Sequence, residues 1–156
     1  MHNDDSKLAL IRLTNTATTN VMQQTINIIP TLRYRDAAKA IEWLCAAFGM
    51  TQQLVVPGED GTIAHAQLRY NNGMIMLGTV RDDEFGKLLA PVIHGQPVTS
   101  AIHVVVEDVD AHHAKATENG AVTITAPEDQ PYGGRYYACR DVEGYVWSFG
   151  TYDPMA

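Results

Sequence analysis

The sequence has little of several features that would each point to a definite class of protein. Its 156 residues include two cysteines, Cys45 and Cys139, which lie too far apart to form a CxxC motif or a disulfide framework. Basic residues are scarce: eleven Lys and Arg against eighteen Asp and Glu give a net charge of −7. Because a nucleic-acid backbone requires a basic surface, we expect no nucleic-acid partner.

Long apolar runs are also lacking. Those present, such as Val104–Val106, are far shorter than the ~20 residues that a membrane helix requires, so we expect no membrane partner. The first 25 residues contain no apolar stretch of the kind found in signal peptides. The content of 46% hydrophobic and 19% charged residues is typical of a globular domain. Together these features predict a cytoplasmic protein with reduced thiols.

The chain divides into an atypical start and two similar halves. Residues 1–25 are rich in Asn, Thr, Gln and Ser and are predicted to be an N-terminal extension, with an edge strand or an oligomerisation arm as the alternative. Residues 26–80 have the pattern of a strand, a helix and three further strands. After a connector over residues 81–98, the same order returns in residues 99–152.

The spacing of equivalent residues supports a repeat. Three pairs of landmarks are 71 or 72 residues apart: the helix caps Asp36 and Asp108, the helix stops Gly49 and Gly120, and the hairpin glycines Gly73 and Gly144. Three different kinds of landmark that share one offset indicate a tandem duplication. The sequence therefore predicts an α+β fold in which two βαβββ modules enclose a cleft.

The second half also contains recognisable motifs. The segment VEDVDAH starts its helix at residues 106–112, and YGGRYYACRDVEGYVWSFGTYDP occupies residues 132–154. With the duplication, these motifs resemble the vicinal oxygen chelate superfamily, and in particular its glyoxalase/bleomycin-resistance branch, over residues 26–154. Val142 departs from the pattern, since the family usually has proline in this Asp-x-Glu-Gly turn.

The resemblance implies four positions at which metal-dependent members carry His, Gln or Glu. Transferred to this chain, these positions are Ile29, Leu77, Ala101 and Ser148. A divalent metal needs imidazole nitrogen or carboxylate oxygen, which none of the four provides. We therefore expect the four side chains to face one shared cavity that holds no metal, and we expect no cofactor.

Alternation along the strands assigns polar side chains to the cavity. The predicted ligand-binding residues are Thr31, His65, Gln67, His103, Arg135, Tyr137 and Ser148, with Tyr132 near the mouth. This assignment assumes a four-residue hairpin that places Tyr137 opposite Ser148. For the histidines the alternative is a hydrogen-bonded structural role, and for Arg135 it is a surface ion pair with Asp141 or Glu143.

Three functions remain open on these grounds. The first is a metal-free small-molecule-binding protein that resembles the bleomycin-resistance proteins, in which the acidic charge would attract a cationic ligand. A buried Arg135 without a protein partner would instead favour an anionic or carbonyl-bearing ligand.

The alternative is a glyoxalase-like lyase, isomerase or dioxygenase. It would require a divalent metal, with His65 and His103 as the candidate ligands, or a histidine that acts as acid or base. A purely structural or regulatory subunit is a third possibility. By resemblance we expect a homodimer.

Overall fold

The computed structural model describes residues 26–156, and the predicted extension over residues 1–25 lies outside the described residues. The first module contains β1 (Thr31–Tyr34), α1 (Ala37–Phe48), β2 (Thr51–Pro57), β3 (Ile63–Tyr70) and β4 (Gly73–Thr79). The connector contains a 3₁₀ turn at Gly86–Leu88. The second module contains β5 (Ile102–Val105), α2 (Val109–Glu118), β6 (Val122–Asp129), β7 (Arg135–Arg140) and β8 (Val146–Gly150). The predicted α+β fold of two βαβββ modules is confirmed.

The helices start at the predicted caps. The Asp36 carboxylate accepts a hydrogen bond from the Lys39 N–H at 3.0 Å, and the Asp108 carboxylate accepts one from the Ala111 N–H at 2.9 Å. Helix α1 ends at Gly49, whose φ of 73° lies in the left-handed region that favours glycine. No helix within residues 26–156 has the length and apolar character needed to cross a membrane.

Each module forms one four-stranded mixed sheet. Sheet one has the strand order β1-β4-β3-β2 and sheet two has the order β5-β8-β7-β6. In both sheets the first strand pairs with the last in parallel, and the other pairs are antiparallel. Strands β1 and β5 therefore each have one edge that no strand of their own sheet covers.

A single apolar core joins the two modules. On sheet one, Leu32, Leu68 and Leu77 point toward α1 and are buried. From α1, the Phe48 ring lies 4.7 Å from the Phe149 ring of sheet two, measured between centroids, and the helices contact each other. We call the side of each sheet that faces this core its helix face and the other side its open face. Within residues 26–156, neither open face covers the other.

A buried carboxylate also links the modules. Asp141, in the turn between β7 and β8, accepts hydrogen bonds from the Tyr34 hydroxyl at 2.6 Å and from the Trp147 indole at 3.0 Å. Its second oxygen accepts three backbone N–H groups of the same turn, those of residues 143, 144 and 145. The carboxylate thus shapes the turn and attaches it to the first module.

Candidate functional site

The register of β7 differs from the sequence prediction. Ala138, not Tyr137, lies opposite Ser148, and Tyr137 lies opposite Phe149. The turn contains one more residue than assumed, because Tyr145 pairs in no ladder and points to the first module. A shift of one residue moves every side chain of a strand to the other face.

Tyr137 therefore lies on the helix face of sheet two, as does Cys139, and the predicted place of Tyr137 in the cavity is wrong. Tyr137 is fully buried, and its hydroxyl donates to Nδ1 of His112 at 2.7 Å. Burial raises the pKa of the Tyr137 phenol and raises that of the Cys139 thiol to about 12. Both groups stay protonated at neutral pH, so Cys139 is not an activated nucleophile.

Arg135 is also placed wrongly by the prediction. It lies on the helix face and forms a bidentate pair with Asp110 of α2, at 2.8 and 2.9 Å, and a second pair with Asp129 at 3.1 Å. These hydrogen bonds raise its pKa, and the bond from Arg135 lowers the pKa of Asp110. With two protein carboxylates as partners, Arg135 needs no ligand oxygen.

The structure brings His103 and Ser148 together on the open face of sheet two. They lie opposite each other on β5 and β8, and His103 Nδ1 is 2.9 Å from Ser148 Oγ. Tyr136 lies on the same face. The sequence prediction misses it because the predicted register of β7 differs by one residue. Gly150 leaves room for both rings, since a Cβ there would lie 3.2 Å from His103 Cε1 and 3.3 Å from Tyr136 Cβ. Tyr132 is exposed on the surface beside Tyr152.

Thr31, His65 and Gln67 lie on the open face of sheet one. The Gln53 amide donates to Gln67 Oε1 at 3.1 Å, and the Gln67 amide donates to His65 Nε2 at 3.2 Å. Thr31 pairs with Met76, which is also the partner of Gln67. Three predicted residues are thus neighbours on one sheet, while His103 and Ser148 occupy the other.

Arg33 also lies on this face, where strand alternation assigns it together with Arg69, although neither is among the predicted ligand-binding residues. Arg33 is 7% exposed. Within residues 26–156, its Nε has no hydrogen-bond partner and none of the five ion pairs involves it. Its guanidinium lies over Gly78, where a Cβ would be 2.5 Å from Nη1. Burial is the main cause that lowers its pKa, followed by the charge of Arg81, while Asp83 opposes them.

The charge of sheet one is opposite in sign to that of the chain. Its four strands contain Arg33, Arg69 and His65 but no Asp or Glu, whereas the whole chain has a net charge of −7. Arg69 also lies on the open face, and its buried Nε has no hydrogen-bond partner among the residues that the structure describes. The open face of sheet one is therefore suited to an anionic group.

The positions that the family uses for metal do not fit a metal here. Leu77 lies on the helix face and is 1% exposed. The prediction that all four positions face one cavity is therefore wrong for this residue. The open face of β4 presents Met76 and Gly78, neither of which is a ligand for a hard divalent cation. Within residues 26–156, no three His, Cys, Asp or Glu side chains are close enough to hold a metal ion.

A groove of about 1070 Å³ opens elsewhere, between the segment before β1, the turn from β3 to β4, and β5. Its lining includes Ile28, Tyr70, Val105 and Met155. Of the eight predicted ligand-binding residues, His103 alone contributes to it. The groove is therefore separate from the polar surface around Arg33.

Comparisons with known proteins agree with this fold. A sequence model of the Glyoxalase/Bleomycin resistance protein/Dioxygenase superfamily matches residues 25–149. The chain is 42% identical to the uncharacterised protein Mb0911c of Mycobacterium bovis over 123 residues, which are 78% of this chain and 80% of that protein.

Solved structures show the same architecture. TioX from Micromonospora sp. ML1 is 31% identical, with a TM-score of 0.63 over 80% of this chain and 94% of that chain. A glyoxalase-related enzyme from Fulvimarina pelagi shares the fold at 17% identity, with a TM-score of 0.61 over 83% of this chain and 88% of its own. The chain belongs to the glyoxalase/bleomycin-resistance/dioxygenase superfamily.

Proposed function

We propose that this chain is a small-molecule-binding protein that resembles the bleomycin-resistance members and uses no protein-held metal. Its ligand carries a carboxylate or another anionic oxygen group, which pairs with Arg33 on the open face of sheet one. The proposal rests on the observation that Arg33 is buried without an ion pair among the described residues. An unpaired buried charge is costly, and a ligand anion would relieve that cost.

The surroundings of Arg33 support the same ligand class. Thr31, His65 and Gln67 offer hydrogen bonds, and Arg69 supplies a second positive charge on the same face. These strands carry no acidic residue, and the nearby Asp83 carboxylate forms its ion pair with Arg81 and not with Arg33. The net charge of the chain favours a cationic ligand, but the positive charge of this open face favours an anionic one.

A second copy of the chain completes the site in this proposal. Apolar side chains remain uncovered on both open faces: Leu54 and Val56 on sheet one are 43% and 40% exposed, and Val105 and Val122 on sheet two are 39% and 61% exposed. If sheet two of one protomer covers sheet one of its partner, His103 and Ser148 join the ligand surface. We place this homodimer in the cytoplasm, on the composition of the chain.

A thermal-shift screen of paired compounds tests the ligand class. Small aromatic carboxylates are compared with the matching carboxamides on the full chain, on Arg33→Met and on the control variant Lys87→Met, which removes an exposed charge. We expect carboxylates alone to stabilise the wild-type protein, by about 2.7 kcal/mol at 100 times the dissociation constant. Lys87→Met should respond in the same way and Arg33→Met should not respond. Equal responses to carboxamides, or a response that persists in Arg33→Met, would contradict the proposal.

The His103–Ser148 hydrogen bond supports a second candidate, an enzyme of the lyase or isomerase type. A histidine fixed at 2.9 Å from a hydroxyl group can serve as a general acid or base toward a bound ligand. Metal analysis of protein purified without chelators tests the metal-dependent form of this candidate. Stoichiometric Fe, Ni, Zn or Mn would favour the enzyme over the binding protein.

A further inference from the structure

We infer that Tyr145, a residue of the second module, is the positioning residue for Arg33 in the first. The inference rests on the proposed function, because it concerns the anion subsite on sheet one. It assigns to the turn between β7 and β8 a role in ligand affinity as well as in holding the modules together.

Two hydrogen bonds connect the Tyr145 hydroxyl to the backbone of Arg33. The hydroxyl donates to the Arg33 carbonyl oxygen at 2.8 Å and accepts from the Arg33 N–H at 3.1 Å. Among residues 26–156, β1 is the edge of sheet one, so no described strand bonds to the side of Arg33 opposite β4. One phenol group therefore takes the place of a neighbouring strand at this residue.

Tyr145 is itself held firmly. Its N–H donates to the buried Asp141 carboxylate at 3.0 Å, and its ring centroid lies 5.0 Å from that of Tyr34. Burial raises the pKa of the Tyr145 phenol, so the hydroxyl remains a donor at neutral pH. The chain of contacts runs from the turn of the second module to the backbone that carries the guanidinium.

The side chain of Arg33 has little freedom to compensate for a moved backbone. The guanidinium lies over Gly78, where a side chain as small as Cβ would be 2.5 Å from Nη1. If the edge of β1 shifts, the guanidinium leaves this close packing. An anion that binds in a fixed orientation then loses hydrogen-bond geometry, which is steep in angle and distance.

A second hydrogen bond between the modules provides a control. It distinguishes the positioning of Arg33 from a role in holding the two modules together. The Trp43 indole N–H donates to the Asn119 carbonyl oxygen at 2.7 Å, which also joins the two modules but touches no part of Arg33. Tyr145→Phe and Trp43→Phe each remove hydrogen bonds between modules and retain an aromatic ring. Both variants should lose thermal stability, and the Tyr145 variant alone should lose anion affinity.

The test uses benzoate as the probe, benzamide as its neutral control, and the full chain. Dissociation constants are measured by ¹H–¹⁵N NMR titration, with the Arg33 Nε–Hε resonance as the local reporter. We expect benzoate to bind Tyr145→Phe about three- to tenfold more weakly than wild type and to bind Trp43→Phe with wild-type affinity. Without ligand, the Arg33 Nε–Hε resonance should move in Tyr145→Phe and stay in place in Trp43→Phe.

The possible outcomes distinguish a failure of the Tyr145 inference from a failure of the proposed function. If Tyr145→Phe keeps wild-type affinity and an unmoved Arg33 resonance, or if Trp43→Phe weakens benzoate to the same extent, Tyr145 is structural only and this inference fails. If wild type binds benzoate no better than benzamide, or if Arg33→Met binds it equally well, the proposed function fails first and the positioning role fails with it.

Discussion

The Tyr34 hydroxyl of the first module and the Asp141 carboxylate of the second form a 2.6 Å hydrogen bond in the interior of the protein. The same carboxylate accepts the Trp147 indole N–H and three N–H groups of its own turn. A buried residue of the turn between β7 and β8 is thus the polar centre of the junction between two apolar helix faces. This explains why the Asp-x-Glu-Gly turn is structural in this chain even though the sequence places it beside the predicted ligand residues.

Asp141→Ala should destabilise the protein severely. It leaves the Tyr34 hydroxyl, the Trp147 indole and the N–H groups of residues 143 and 145 without their acceptor, for which we expect a loss of about 3–5 kcal/mol. Urea denaturation followed by tryptophan fluorescence measures the loss. Glu84→Ala, an exposed residue of the connector, is the control and should change stability by less than ~0.5 kcal/mol. A loss below about 1 kcal/mol in Asp141→Ala would contradict this role.

His112 should make the junction sensitive to acid. Its Nε2–H donates to the Phe48 carbonyl oxygen at 3.2 Å and its Nδ1 accepts from Tyr137, so the ring is neutral in this arrangement. Burial lowers its pKa below the ordinary 6.5, and the charge of Lys115 adds to that effect, whereas the Phe48 carbonyl opposes it. Because the unfolded chain binds the proton more readily, His112 contributes stability above pH 6.5 that is lost as the pH falls through its folded pKa.

Urea denaturation at pH 7.5 and at pH 5 checks this prediction. Wild type should lose more stability on acidification than His112→Gln, which does not titrate. His94→Gln, which removes an exposed histidine of the connector, should follow the wild type. If the pH dependence of His112→Gln equals that of wild type, the titration of His112 does not affect the junction.

Much of this fold follows from local patterns, because helix caps, stops and turn glycines are local signals. The shared offset of Asp36 with Asp108 predicts both helices, and the structure places them at Ala37–Phe48 and Val109–Glu118. The register of β7, in contrast, depends on a contact with a distant part of the chain. Tyr145 leaves the ladder to bond with Arg33, which is 112 residues away, and no pattern in the turn itself encodes that contact.

The candidate site likewise has one part that follows from local sequence patterns and one part that does not. Alternation places Thr31, His65 and Gln67 on one face, since the period of a strand is a local property. It cannot select Arg33 over Arg135 as the arginine that needs a ligand, because pairing depends on which carboxylates the fold brings near. Asp110 and Asp129 satisfy Arg135, and no described carboxylate forms an ion pair with Arg33.

Gly78→Ala should remove anion binding without unfolding the protein. The added Cβ would lie 2.5 Å from Arg33 Nη1, so the guanidinium must move, and 3.1–3.2 Å from the carbonyl oxygens of Ala64 and Ile63. We expect benzoate affinity to fall at least about tenfold, which is about 1.4 kcal/mol. Gly73→Ala in the same strand meets only the Tyr70 carbonyl oxygen at 3.3 Å and should retain binding. Wild-type affinity in Gly78→Ala would show that benzoate does not bind at Arg33.

The proposed homodimer predicts that a charge on either open face separates the protomers. Val105 on sheet two and Val56 on sheet one are 39% and 40% exposed in the single chain, although their neighbours on the same faces are apolar or form the candidate site. The open face of sheet one is already basic, and burial of an unpaired ammonium group in an interface costs several kcal/mol. Val105→Lys and Val56→Lys should therefore each shift the protein from dimer to monomer. Light scattering coupled to size-exclusion chromatography measures the mass. Leu88→Lys is the control, because Leu88 is 77% exposed on the connector and lies on neither face. A wild-type protein that elutes as a monomer would refute the dimer, as would two open-face variants that stay dimeric.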